Sequence, residues 1–84
     1  MDIIMFTSPG CKYCELVKRR MPSKFTNKVH YYDCTLKENE NVVAYYSAFH
    51  AVRKALPVLV VNEELFVGAE AALKRLKELD DSEA

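Results

Sequence analysis

The stretch Ile3-Ile4-Met5-Phe6-Thr7-Ser8-Pro9-Gly10-Cys11-Lys12-Tyr13-Cys14 decides the architecture. Ile3 to Phe6 is apolar without alternation, the pattern of a strand covered on both faces. Ser8-Pro9-Gly10 breaks the run at a surface turn. A helical pattern follows. Cys14, Val17 and Met21 recur at i, i+3 and i+7 on one apolar face, while Lys12, Glu15, Lys18 and Arg19 face water. Pro22-Ser23 ends or kinks this helix. A Cys-x-x-Cys pair therefore stands where a strand hands over to a helix.

Working outward, Val29 to Asp33 reads as a second strand, Tyr-rich with a β-branched start. Asn39 or Asn41 can cap a second helix, in which Val42, Tyr46 and Phe49 recur at i, i+4 and i+7. Pro57-Val58-Leu59-Val60-Val61 is a third strand, with its proline at the one position where a missing N–H does little harm. Asn62-Glu63-Glu64 turns into a short strand, Leu65-Phe66-Val67. Gly68 opens a last helix with Ala72, Leu73, Leu76 and Leu79 apolar, and Asp80 to Ala84 reads as a solvated tail. The order β-α-β-α-β-β-α implies an α/β fold: a mixed four-stranded sheet, with a parallel first crossover and helices on both faces.

The 84 residues make one domain, residues 1–84. Half of them are hydrophobic and 29% are charged, which excludes a disordered chain. Twelve basic side chains balance twelve acidic ones, so a nucleic-acid partner is not expected. No apolar run approaches the roughly 20 residues of a bilayer span. Three cysteines, an odd number, argue against a secreted disulfide scaffold. Met1 to Phe6 has no basic leader region, so a cytoplasmic, reducing setting is expected.

The chemistry lies in Cys11-Lys12-Tyr13-Cys14. A thiol at a helix N-terminus faces unpaired N–H groups and the positive end of the helix dipole, both of which favour a thiolate. A free cysteine has a pKa of about 8.5, and Cys-x-x-Cys thiols at helix starts fall to roughly 3.5–7.5. The thiolate is the attacking species in disulfide exchange. Lys12, with Lys18 and Arg19 further along the helix, adds positive charge. Cys11 is expected as the exposed attacker and Cys14, beside Val17, as the partly buried resolving thiol.

Three segments, Phe6 to Cys14, Leu56 to Val61, and Gly68 before the last helix, resemble the glutaredoxin family within the thioredoxin fold. Glutaredoxins commonly carry Tyr before the second cysteine, as Tyr13 does here, where thioredoxins carry Pro. The resemblance implies a small dithiol thiol–disulfide oxidoreductase that reduces protein disulfides or glutathione mixed disulfides through Cys11 and Cys14. A proline heading a strand is by itself more often trans. The resemblance implies that Pro57 is cis, and that the Leu56 backbone pairs with a bound peptide or glutathione. It places Lys12, Tyr13, Leu56, Pro57, Gly68 and Ala69 at the substrate and glutathione site. Glutathione is the implied reductant, or a flavoprotein reductase in its place; no metal is expected, and the chain is expected to be a monomer.

One segment departs from the family. The usual Gly-Gly pair, followed by Cys or Ser and then Asp, is replaced by Val67-Gly68-Ala69-Glu70-Ala71. This weakens glutathione recognition and keeps open a glutathione-independent redoxin that donates electrons to one enzyme, such as ribonucleotide reductase. A zinc or iron–sulfur module using Cys11 is the other alternative. His30 and Cys34 could complete a zinc set, but the intervening helix and the strand position of His30 argue against it. Cys34 reads as a lone buried cysteine. Tyr31-Tyr32 and Tyr45-Tyr46 read as core and helix packing, Lys18-Arg19-Arg20 as a solvated helix face, and His50 as a surface residue near a helix end.

Overall fold

The computed structural model describes residues 2–49 and 51–82. His50, together with the last two residues of the tail, lies outside them.

The apolar run at the start of the chain forms β1 (Ile3–Thr7), one of the two inner strands of a four-stranded sheet. Its neighbours are β2 (Val29–Asp33), which runs parallel, and β3 (Val58–Val61), which runs antiparallel. β4 (Glu64–Val67) pairs antiparallel with β3 and completes the order β2-β1-β3-β4. Three helices connect and cover them: α1 (Lys12–Arg20), α2 (Glu40–Ser47) and α3 (Ala69–Ser82). The expected mixed α/β architecture is present and is compatible with a thioredoxin-like fold. No helix among the described residues is long and apolar enough to cross a membrane.

Successive side chains of a strand point to opposite faces, and β1 feeds two cores accordingly. Ile3 and Met5 join Val17 of α1 and Met21 at its C-cap, Leu59 and Val61 of β3, and Ala72, Leu76 and Leu79 of α3. Phe6 joins Val58 and Val60 with Val43 and Tyr46 of α2, and Ile4 and Tyr32 pack at its margin. Continuous hydrophobicity in β1 and β3 thus reflects burial on both faces, with α1 and α3 on one side and α2 on the other.

Local signals moved the element ends by a residue or two. Asn39 does stand at the N-cap of α2, but its side chain makes no cap hydrogen bond. Its amide donates instead to the Asp33 carbonyl at 3.0 Å, tying the helix start to the end of β2. Phe49 is not part of the apolar face of α2: it lies beyond the helix and is 68% exposed. Val43, one residue from the expected Val42, is buried in its place. The hairpin between β3 and β4 needs two turn residues, not three. Asn62 and Glu63 both have positive φ (49° and 68°), the type I′ geometry, and Glu64 already pairs with Val61.

Asp80 to Ser82 continue α3 rather than forming a tail. Lys24, in a 3₁₀ turn at Ser23–Phe25, reaches the last turn of α3. Its ammonium meets the Asp80 carboxylate at 2.9 Å and donates to the Asp80 carbonyl at 3.3 Å. A cation among the last carbonyls of a helix is favourably placed. The tyrosine pairs split: Tyr46 is buried and Tyr32 half-buried, whereas Tyr31 and Tyr45 are exposed.

Candidate active site

Ser8-Pro9-Gly10-Cys11 forms the turn that carries β1 into α1. The Cys11 N–H donates to the Ser8 carbonyl at 3.3 Å, and Gly10 has φ +76°. Proline second and a positive-φ glycine third is the type II pattern, and any side chain at Gly10 would be strained there.

This turn leaves Cys11 at the N-cap of α1 in an extended conformation, and its Sγ accepts the Cys14 N–H at 3.1 Å. The sulfur thereby takes the role that a Ser or Asp oxygen takes at other helix starts. An N–H aimed at the sulfur and the positive end of the helix both favour a thiolate at Cys11. The Cα atoms of Cys11 and Cys14 are 5.3 Å apart, and the two sulfurs are within disulfide distance. Cys14 is buried at 1% exposure, whereas Cys11 is half-buried. The pair is therefore asymmetric in the expected sense.

Lys12 is exposed on the first turn of α1. The expected contribution of Lys18 is reduced. It lies seven residues beyond Cys11, about 10 Å along the helix axis. Its ammonium is 3.6 Å from Glu15 and stands over the Tyr31 ring at 5.1 Å.

A groove of about 340 Å³ is lined by Tyr13, which stands between the two cysteines in sequence, and by Ala55, Leu56, Val67, Gly68, Ala69 and Glu70; neither cysteine lines it. Four of the expected binding residues, Tyr13, Leu56, Gly68 and Ala69, share it. Lys12 and Pro57 do not line it. Pro57 is buried, its bond to Leu56 is cis, and its carbonyl accepts the Gly68 N–H at 2.8 Å. That bond joins the head of β3 to the start of α3. Ala55, Val67 and Glu70 complete the lining; each is within two residues of an expected one, so sequence adjacency was the available signal. Glu70 is the charged residue of the groove, at the helix start where a carboxylate ligand would otherwise be received.

Cys34 is the remaining thiol, free and 4% exposed. Burial pushes it up from the ordinary cysteine range, Arg53 opposes that rise, and Asp33 adds to it. Its backbone donates to the Thr7 carbonyl at 2.9 Å, so its placement is that of a core residue closing the β1–β2 ladder. His30 stands at the other end of the sheet, beside Asp2. Among the described residues, no group of three or more His, Cys, Asp or Glu is placed to hold a metal ion.

In comparison with known proteins, no family model and no curated protein matches the chain.

Proposed function

We propose that the protein is a small dithiol thiol–disulfide oxidoreductase of the glutaredoxin type. The observation that carries this reading is the Cys11 sulfur at a helix N-cap, accepting the Cys14 N–H with the Cys14 sulfur in bonding reach. Cys11 thiolate attacks a substrate disulfide, forming a mixed disulfide and releasing the first substrate thiolate. Cys14 thiolate then attacks the Cys11 sulfur. The Cys11–Cys14 disulfide forms, the second substrate thiolate leaves, and two electrons have passed to the substrate. Two glutathione thiols, oxidised to one disulfide, or a flavoprotein reductase return those electrons. Such a cycle suits a reducing compartment such as the cytoplasm. Disulfide-bearing proteins are the substrate class. Their extended chain would lie along the groove, where Leu56 offers its backbone and Tyr13 a ring.

The test is a glutathione–disulfide transhydrogenase assay on two variants. Cys11→Ser should fall to the uncatalysed background. Cys14→Ser should still form the mixed disulfide with Cys11 and accumulate it. Full activity in the Cys11→Ser protein overturns the reading.

Glu70 favours a second reading, in which a reductase rather than glutathione restores the dithiol. A carboxylate at the start of α3 repels the carboxylates of glutathione. Glu70→Gln should then lower the KM for glutathione roughly two- to five-fold, the scale of a partly exposed charge interaction, while kcat with a non-glutathione disulfide stays the same.

A further inference from the structure

The groove at Tyr13 is apolar along its walls and charged at one point. Tyr13 is 65% exposed and Val67 is exposed too, so both offer apolar surface to a partner rather than to the core. Leu56 precedes the cis bond to Pro57 and lies outside β3. Its backbone N–H and carbonyl make no hydrogen bond among the described residues. The Gly68 N–H, bonded to the Pro57 carbonyl at 2.8 Å, fixes the start of α3 against this segment. Glu70 is thereby held two residues further on, in the first turn of α3.

Glu70 carries the argument. Its carboxylate makes no ion pair or hydrogen bond with any described residue. Glu15, Asp80 and Glu78, by contrast, each meet a cation of their own: Lys18, Lys24 and Arg75. A carboxylate in the first turn also offsets the positive end of its helix. The groove therefore ends in a negative charge, where a helix start ordinarily receives an anion. The basic residues nearest in sequence do not balance it. Lys12 and Lys54 are exposed and do not line the groove, and Arg53 donates to the Cys34 carbonyl at 3.2 Å.

We propose that the groove selects protein disulfides whose cysteine lies in an extended segment close to a lysine or arginine, and that Glu70 sets this choice. The inference rests on the redox reading above and adds to it the charge of the partner. A segment paired with the Leu56 backbone as an added strand presents alternate side chains, about 7 Å apart, to one wall. Apolar side chains cover Tyr13 and Val67, and a basic one reaches Glu70 along its flexible stem. A cation gains the carboxylate and an anion is repelled. The difference acts on the encounter that brings the substrate disulfide to Cys11, before any bond is exchanged.

The probes are capped pentapeptides with a central cysteine in disulfide linkage to 2-mercaptoethanol, and with Lys, Gln or Glu at both ends. Each is mixed with the reduced protein for a single turnover. The peptide thiol and 2-mercaptoethanol leave, the Cys11–Cys14 disulfide forms, and two electrons pass. Each rate is divided by that of the same peptide with dithiothreitol, which removes the peptide's own reactivity. The Lys peptide should react roughly two- to five-fold faster than the Gln peptide, the scale of one partly exposed ion pair, and the Glu peptide more slowly. Glu70→Lys should invert that order. Glu64→Lys, an equal charge change at the far end of β4, should keep it. Each preference is a ratio on one protein, so a loss of folded fraction cancels. Three results overturn the proposal and leave the redox reading standing: equal rates for the three peptides, a preference for Glu that puts Lys12 and Lys54 in control, or inversion by Glu64→Lys as well. No reaction with any peptide overturns the redox reading, and this inference falls with it.

Discussion

At its C-terminal end β1 turns tightly into a helix and delivers a sulfur to that helix's first free N–H groups. At its N-terminal end the same strand leaves Ile4 under an open aromatic cup. The first end is polar, short-range and stiffened by backbone bonds: Cys11 N–H to Ser8 carbonyl, Cys14 N–H to Cys11 sulfur, Gly68 N–H to Pro57 carbonyl. The second is held by ring contacts and by the edge of a helix that is too short to close it. Chemistry on a covalent bond needs atoms fixed by the backbone, which the first end supplies.

The largest expected effect on this contrast comes from Phe6, which is wholly buried beneath the cup with ring centroids 5.6 Å from Tyr46 and 6.0 Å from Tyr32. Phe6→Leu keeps an apolar filler but loses the edge-on contacts, at a cost of about 1–2 kcal/mol. Denaturant unfolding should show that loss. The rate of disulfide exchange per folded molecule should stay unchanged, because the cysteine turn does not lean on Phe6. A parallel fall in exchange would show that the two ends are one cooperative unit.

Glu63 gives a smaller but sharper test. It occupies a type I′ turn with φ +68°, where glycine is at ease and a glutamate is strained. Glu63→Gly relieves roughly 1–2 kcal/mol of left-handed backbone strain and adds roughly 0.5–1 kcal/mol of unfolded-chain entropy, so the hairpin should gain up to about 1 kcal/mol and the denaturation midpoint should rise. Unchanged stability would mean that the Tyr45 contact offsets the strain.

The two ends were not equally legible. The cysteine turn lies in one run from Phe6 to Cys14, so strand, breaker, cap and nucleophile could be read in order, and periodicity alone placed Cys14, Val17 and Met21 inside. The groove partners Leu56, Gly68 and Ala69 came only from the family resemblance, since no local pattern says that two distant loops meet. The cup is drawn from Asp2, Ile4, His30, Tyr32, Tyr46, Asn62 and Glu63, spread along the chain. Tyr46 read as ordinary helix packing, and so its ring behaves. Phe49 misled because a helical period continues on paper after the helix has ended. Asn39 was found at the right place for the wrong bond, since a cap residue can be recruited by tertiary contacts.

The smallest expected effect is the titration of Tyr46 itself. Burial raises its pKa first, and Glu63, Tyr45, Asp2 and Tyr32 raise it further. A folded-state pKa above the unfolded value of about 10 means that the fold prefers the neutral phenol. The stabilisation is therefore complete below about pH 10 and is lost as pH rises through the folded pKa. Tyr46→Phe, which cannot ionise, should match the parent near neutral pH and fall less steeply in alkali. Tyr31, raised by burial alone, and Cys34 still contribute to the alkaline slope, so Tyr31→Phe is the matching reference.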